Sequence, residues 1–168
     1  LCLLAVTASA APFDPLFRVV RTTGECSVAA PDGDFAPAVE GKAYSYGSRI
    51  RTGADATVMV KLSEGNECHF AADALFTMEQ DPNDEKHKLV RLEQGKVEVT
   101  LEEGFQENNR FTIETASAMC EAVACQFAVE SRRDGQLDLN VGLFSCNEGQ
   151  VRVFGPNFNI PALGKNCS

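Results

Sequence analysis

The feature that most constrains the fold is an alternation of apolar and polar residues from about residue 56 onward. In the segment 57–62, Val58, Val60 and Leu62 share one face. Because successive side chains of a strand point to opposite faces, each such segment predicts a strand with one buried and one solvated face. The residues are mostly β-branched or aromatic, and no long stretch repeats every 3.6 residues. The same alternation recurs at Val90 and Leu92, at Val97, Val99 and Leu101, at Phe111 and Ile113, at Cys125, Phe127 and Val129, at Leu137, Leu139 and Val141, and at Val151 and Val153.

Glycines punctuate the predicted strands in a recurring way. The pattern of Leu or Cys, any residue, Glu or Gln, and then Gly ends at four positions, Gly65, Gly95, Gly104 and Gly149. Glycine readily adopts the positive φ that tight hairpin turns require, so these positions predict hairpin corners. Their spacing is not constant, which argues against a strict short-period repeat. The sequence therefore predicts an all-β domain of about ten short antiparallel strands, and a two-sheet sandwich fits the pattern.

The N-terminus has the features of an export signal. The first ten residues, LCLLAVTASA, are apolar and uncharged, with small residues at Ala8 and Ala10. This is typical of the end of a signal peptide, with cleavage expected after Ala10. The apolar run is much shorter than the roughly 20 residues of a membrane anchor, and no later run is long enough to span a bilayer. The mature chain is therefore expected to be periplasmic or secreted and not to span a membrane.

The cysteine count agrees with export. The chain has seven cysteines, and removal of residues 1–10 takes away Cys2 and leaves six. Six cysteines allow three disulfides among fifteen pairings, and an oxidising compartment favours such bridges over free thiols. A metal site is the alternative, but no cysteine pair has C-x-x-C spacing, and the chain has only two histidines, His69 and His87. The disulfide candidates, whose pairing stays open, are Cys26, Cys68, Cys120, Cys125, Cys146 and Cys167.

Charge and motifs limit the functions to consider. The formal net charge of −9 argues against nucleic acid and anionic membranes, since both are bound by clustered Lys and Arg. No G-x-S-x-G, H-E-x-x-H or P-loop motif is present, so we predict no enzyme activity, cofactor or metal. Tryptophan is absent, and Tyr44 and Tyr46, two residues apart, form the one small aromatic candidate binding patch. The alternative is that the two tyrosines flank a turn and pack on the domain edge.

Four segments resemble the FecR-type periplasmic domain. The stretch 47–65, GSRIRTGADATVMVKLSEG, is similar to the family's G-x-x-I-x-T-G segment and the alternating strand after it. Residues 90–99, VRLEQGKVEV, resemble its second signature, and residues 111–118, FTIETASA, resemble its F-x-V-x-T-P-x-A segment. Residues 125–129, CQFAV, fall where the family has G-T-x-F-x-V. The resemblance divides the chain into a residual signal peptide (1–10), an N-terminal lead-in (11–23), a FecR-like β domain (24–154) and a C-terminal tail (155–168).

The resemblance implies a fold and a class of function. The implied fold is a solenoid-like arrangement of short β-strands. The implied function is a non-catalytic module for protein–protein interaction or signalling in the bacterial envelope, with a polysaccharide-binding module as the alternative. Well-known FecR proteins also carry a cytoplasmic anti-sigma segment, a membrane helix and a further domain. The 168 residues leave no room for these, so the family's iron-signalling role is not expected to transfer.

The chain departs from the family pattern at several positions. Ala116 replaces the usual proline and Glu64 the usual aspartate. Ala124 and Cys125 replace Gly-Thr. The six cysteines are not a general family feature, which suggests a disulfide-containing subtype.

Overall fold

The computed structural model describes residues 14–122 and 126–163. Within these ranges the protein has fifteen strands and one short 3-10 helix, which confirms the predicted all-β class with many antiparallel strands. The strands are β1 (Phe17–Thr23), β2 (Cys26–Ala29), β3 (Ala36–Pro37), β4 (Ala43–Tyr44), β5 (Arg49–Thr52), β6 (Thr57–Ser63), β7 (Asn66–Phe70), β8 (Leu75–Asp81), β9 (Asp84–Thr100), β10 (Arg110–Glu114), β11 (Met119–Ala122), β12 (Gln126–Asp134), β13 (Leu139–Glu148), β14 (Val151–Gly155) and β15 (Phe158–Leu163); the 3-10 helix η1 spans Phe105–Glu107.

Strand β9 organises the fold because it belongs to two series of paired strands. Its first part pairs with β8, and it also pairs with β10 in parallel. Its last part, residues 95–100, pairs with β12 and β7. We call the two series branch A (β4-β1-β6-β7-β9-β12-β13) and branch B (β3-β2-β5-β8-β9-β10-β11-β14-β15). Their buried side chains form one hydrophobic core. The solenoid-like or sandwich arrangement stays a prediction.

Gly95 lies where β9 passes from branch B to branch A. Its φ is +98°, and a Cβ added there would lie 2.5 Å from the Cα of Ala74. Both facts require glycine, because an L side chain would be strained and would collide with backbone. This glycine explains why β9, at seventeen residues, is far longer than the short strands that the sequence predicts.

The four predicted hairpin glycines share positive φ but not hairpin geometry. The prediction of positive φ is confirmed at all four, with values from +73° to +98°. The hairpin prediction holds for Gly65, between β6 and β7, which pair with each other. It is wrong for Gly95, which is inside β9, and for Gly104, which precedes η1. It is also wrong for Gly149, because β13 and β14 do not pair. A positive φ bends the chain, but a hairpin forms only where the two flanking strands pair with each other.

The predicted inward faces form the core along most strands. In β6, Val58, Val60 and Leu62 are buried, and Phe111 and Ile113 of β10 are buried as well. These positions follow the period-two alternation read from the sequence. The largest buried apolar side chains are Phe17, Phe70, Phe76, Phe105, Phe111, Phe127, Ile50, Leu62, Met78, Leu92 and Leu101.

Strand β13 is the exception to this burial. Leu137, in the turn before β13, and Leu139 are 67% and 56% exposed, so the prediction that their apolar face is buried is wrong. The reason is the register of the β12–β13 pairing, because Leu139 lies directly opposite Asp134 and Val141 opposite Arg132. The alternation is present there, but the apolar side chains share the solvated face of the sheet with charged ones.

Two segments outside the predicted β domain also carry strands. The lead-in contains β1, which pairs with β4 and β6 and buries Phe17 and Val19. The segment expected to be an irregular tail contains β15, which pairs with β14. The predicted signal peptide, residues 1–10, lies outside the described residues.

Candidate functional site

The two tyrosines of the predicted binding patch pack against Phe17 of β1. The ring of Tyr44 stacks on Phe17 with centroids 5.9 Å apart, and Tyr46 meets Phe17 edge-on at 5.7 Å. The Tyr44 hydroxyl accepts a hydrogen bond from the Val39 amide at 3.1 Å, and Tyr46 donates to the Asp14 carbonyl at 3.4 Å. This packing agrees with the alternative of a pair on the domain edge. A ligand role for the tyrosines stays a prediction.

Lys88 is a residue that the sequence pattern did not single out, and it lies against Tyr46. Its side chain is almost fully buried, and Nζ lies 4.5 Å from the Tyr46 ring centroid. The ammonium donates to Gln80 Oε1 at 2.5 Å and to the Glu85 carbonyl at 2.7 Å. Burial lowers the pKa of Lys88, and it raises the pKa of Tyr46. One face of the Tyr46 ring is thus occupied by a cation from the same chain, so nothing here favours the polysaccharide alternative.

The described cysteines lie inside the protein. Cys26 donates from Sγ to the Thr57 carbonyl at 3.3 Å, and Cys68 is fully buried in β7. Cys120 of β11 and Cys146 of β13 both belong to the core. Burial, and then the nearby Cys146, raises the pKa of Cys120 to about 12. Such thiols are poor nucleophiles at neutral pH.

No disulfide joins any two of the four cysteines that the structure describes. Cys125 and Cys167 lie outside the described residues. Three bridges would require at least one among these four cysteines, and the structure does not show it, so the disulfide framework stays a prediction.

The histidines are separated from each other. His69, on β7, lies 3.8 Å from the Glu67 carboxylate. His87, on β9, contacts Asp81 Oδ2 at 3.4 Å and Thr112 Oγ1 at 2.9 Å. Over residues 14–122 and 126–163, no group of three or more His, Cys, Asp or Glu is arranged to hold a metal ion. In the same part of the chain, no helix is long and apolar enough to cross a membrane.

A groove of about 630 Å³ runs beside β13. Its apolar lining comes from both branches, since Leu143 and Phe144 belong to β13 while Val153 and Ile160 belong to β14 and β15. Leu143 and Ile160 are both exposed large apolar residues. The sequence pattern did not predict this groove, although Leu143 continues the alternation of Leu137, Leu139 and Val141. The remaining lining residues are Lys96, Ala128, Glu130, Gly142 and Ser145.

Strand β13, which we call the β13 edge, is the outer strand of branch A at this groove. Within the described residues it pairs with β12 and with no other strand. Its ten residues, LNVGLFSCNE, contain one charged side chain, Glu148, and no proline. An edge strand presents unpaired backbone N–H and C=O groups, so it is able to pair with another extended segment.

These features define a class of protein, an all-β domain of mainly antiparallel strands with an exposed apolar groove along one edge. The family model described as FecR protein matches residues 48–152, which is more than half of the chain. The chain therefore belongs to the FecR family. This confirms the resemblance inferred from the sequence motifs, and the matched range lies within the predicted β domain.

Comparison with solved structures supports the same fold. Two crystal structures of a protein from Parabacteroides distasonis ATCC 8503, described as a candidate anti-sigma factor, match with a TM-score of 0.57 and 19% sequence identity. Each match covers 70% of this chain and 51% of the other chain, so this chain spans about half the length of those structures. No curated protein matches the chain.

Proposed function

We propose that this chain is a non-catalytic, extracytoplasmic FecR module that acts in signalling in the bacterial envelope by binding a protein partner. Membership of the FecR family is the observation that carries the proposal. The fold shared with structures described as candidate anti-sigma factors supports a regulatory role. The exposed apolar groove beside the β13 edge supports a partner that is a macromolecule.

The signalling role is tested in the cells that make the protein. The chain is deleted, and transcripts are compared between the deletion strain, the parent and a strain complemented with the intact gene. We expect the transcripts controlled by one sigma factor to change together and to return on complementation. Unchanged transcripts in the deletion strain, under conditions where the parent makes the protein, contradict the signalling role.

The proposed extracytoplasmic location implies that a signal peptide is cleaved and that disulfides form. The apolar N-terminal ten residues and the even count of remaining cysteines support both. The protein is purified from the envelope fraction, and its intact mass is measured before and after reduction. We expect a mature N-terminus at Ala11 and a gain of about two daltons for each reduced bridge. A cytoplasmic protein with an unchanged mass contradicts this part of the proposal.

A further inference from the structure

Two contacts place β13 of branch A against strands of branch B. A Cβ added at Gly142 of β13 would lie 2.8 Å from Oγ of Ser117, which lies between β10 and β11. Two residues further along β13, Phe144 lies directly opposite the buried Val129, so its ring points towards the core. Phe144 lines the same groove as the buried Val153 of β14. The inward face of β13 therefore lies opposite β11 and β14.

A buried cysteine lies beside this contact on each of the two facing strands. Cys120 of β11 lies directly opposite Val153 of β14 and is fully buried. Cys146 of β13 is 1% exposed and follows Phe144 by two residues. Because residues two apart in a strand share a face, Cys146 points to the core as Phe144 does. The two side chains thus enter the core from opposite branches at the same end of the molecule.

The two thiols are close enough to interact. After burial, the Cys146 thiol is the largest cause of the raised pKa of Cys120, and an interaction between charges weakens with distance. Burial also raises the pKa of Cys68, where the second cause is Glu67 and not a cysteine. Burial is what raises the pKa of Cys26, again without a contribution from a cysteine. Among the four described cysteines, the interaction therefore singles out one pair.

The other described cysteine of branch A, Cys68, is too distant to pair with Cys146. The two residues lie at the ends of one row across the sheet, with Val99 and Phe127 between them. Three strand spacings separate them, which is about 14 Å. The Cα atoms of bridged cysteines lie roughly 4.4–6.8 Å apart. Within its own branch Cys146 thus has no described cysteine in reach.

We propose that Cys120 and Cys146 form a disulfide that joins β11 of branch B to β13 of branch A across the core. This inference rests on the proposed extracytoplasmic location, because thiols are kept reduced in the cytosol. In the structure both residues are thiols, so the proposal concerns the oxidised, mature protein. Backbone pairing connects β11 to β13 through β10, β9 and β12. The bridge adds a direct covalent link between the two branches.

The oxidation requires a disulfide donor, which we take to be a thiol oxidoreductase of the envelope in its disulfide form. The thiolate of one cysteine attacks the donor's disulfide, which forms a mixed disulfide and releases one donor thiolate. The thiolate of the second cysteine then attacks Sγ of the first and displaces the second donor thiolate. The two protons lost by the cysteines are balanced by the two that the donor thiolates take up. One S–S bond is formed in this protein and one is reduced in the donor.

This exchange is expected before the chain has folded. Thiolates are the attacking species, and burial in the folded protein disfavours the thiolate of Cys120. In the unfolded chain the same thiol is solvated and reacts at its ordinary rate. The bond that forms is then enclosed by the core.

The test maps the linked cysteines in the protein purified from the envelope fraction. Remaining thiols are alkylated with iodoacetamide in urea without a reductant, and the protein is digested with trypsin and a glutamate-specific protease. These two enzymes cut between every pair of cysteines in the mature chain. The six cysteine peptides are 26–40, 68–79, 115–121, 122–130, 134–148 and 166–168.

We expect peptide 115–121, with Cys120, to be linked to peptide 134–148, with Cys146. Reduction before digestion should separate the two peptides. A link from either peptide to a third cysteine overturns the inference. Alkylation of both Cys120 and Cys146 in the unreduced protein overturns it as well.

A double-mutant cycle measures the bond in the folded protein. Cys120→Ala and Cys146→Ala should each raise the equilibrium constant for unfolding in urea about a hundredfold, because each removes the same bridge. The double variant should cost much less than the sum of the two single changes, since the bridge is lost once. In the presence of a reductant this non-additivity should largely disappear. Additive losses in the oxidised proteins would overturn the inference.

The mapping experiment also separates this inference from the proposed location. If Cys120 and Cys146 are alkylated while other cysteines are bridged, the inference fails and the extracytoplasmic location keeps its support. If all six cysteines are alkylated and the N-terminus precedes Ala11, the inference and the proposed location both fail.

Discussion

The strands on the two sides of β9 follow the same sequence pattern but differ in what covers them. In β6, on the side of β9 where the two branches have equal numbers of strands, Val58 and Val60 are buried on their inward face. In β13, on the other side, Leu139 alternates in the same way and is more than half exposed. The alternation tells which side chains share a face, whereas burial depends on whether that face points to the core, and Leu139 lies opposite Asp134 on the solvated face. One side of the molecule thus buries its alternating apolar residues, and the other leaves some of them exposed.

Edge strands show the same difference. The outer strands on the equal side, β3 and β4, have two residues each, so they offer little backbone for pairing. The β13 edge offers ten residues. Because edge pairing leads to aggregation as readily as to specific binding, a long edge without proline is costly to retain unless it has a use. We therefore expect substitutions to destabilise the protein strongly on the side of β6 and only weakly on the side of β13.

The largest expected effect lies at Gly95, which joins the two sides. Gly95→Ala should lower the free energy of unfolding by about 4 kcal/mol, because it combines a strained positive φ with a collision against the Ala74 backbone. Gly41→Ala is the matched control, since Gly41 also has positive φ but has nothing within 4 Å of an added Cβ. The control should lose only about 1 kcal/mol. Urea unfolding measures both values. Equal losses would show that the contact with Ala74 is unimportant.

A pair of leucines compares the two sides directly. Leu62 is fully buried in β6, whereas Leu143 of β13 is nearly half exposed. Leu62→Ala should lower the free energy of unfolding by about 3 kcal/mol, through lost burial and the cavity left behind. Leu143→Ala should lower it by about 0.5 kcal/mol or less, as expected for a surface position. Urea unfolding of the two variants checks this. A large loss for Leu143→Ala would mean that β13 supports the core as β6 does.

The sequence was sufficient to predict the strands whose inward faces form the core. β6 and β10 follow from local alternation, because a buried face and a solvated face leave a periodic record in the residues themselves. The length of β9 was not predictable, because the corner at Gly95 depends on Ala74, which lies more than twenty residues away. The lead-in strand β1 was missed for a similar reason, since its burial comes from pairing with β6.

The candidate groove was less predictable than the fold. The leucines around residue 140 were visible in the sequence, but their exposure depends on the register in which β13 pairs with β12. Lys88 was hidden in a charged segment, and only the pairing of β8 with β9 places it over Tyr46. Both features come from long-range topology, which no local pattern encodes.

A smaller effect, confined to alkaline pH, is expected at Lys88. Its pKa in the folded protein lies below the ordinary value of 10.5 because burial disfavours the charged form. Between those two pH values the unfolded chain binds more protons than the folded chain, so the free energy of unfolding rises with pH. Lys88→Met removes this contribution. The difference between wild type and variant should therefore be constant at neutral pH and should shift in favour of wild type as the pH approaches 10.5.

Urea unfolding across this pH range measures that difference, and Lys86→Met controls for the loss of one lysine from the same strand. A difference that stays constant up to pH 10.5 would show that Lys88 keeps its ordinary pKa despite its burial.

The smallest expected effect concerns the solvated face of branch B around β9. Arg91 of β9 reaches across to neighbouring strands, with Nη2 3.4 Å from Glu79 and Nε 3.3 Å from Glu114. Exposed pairs contribute little, so Arg91→Ala should lower the free energy of unfolding by about 0.5 kcal/mol at low salt. Because salt screens exposed charges, the loss should disappear in about 1 M NaCl. Arg132→Ala, which removes one 3.8 Å pair on the β12–β13 hairpin, should have a smaller effect at either salt concentration. A loss for Arg91→Ala that persists at high salt would mean that the Arg91 side chain stabilises branch B by packing across its neighbouring strands, and the solvated faces of the two branches would then differ in packing.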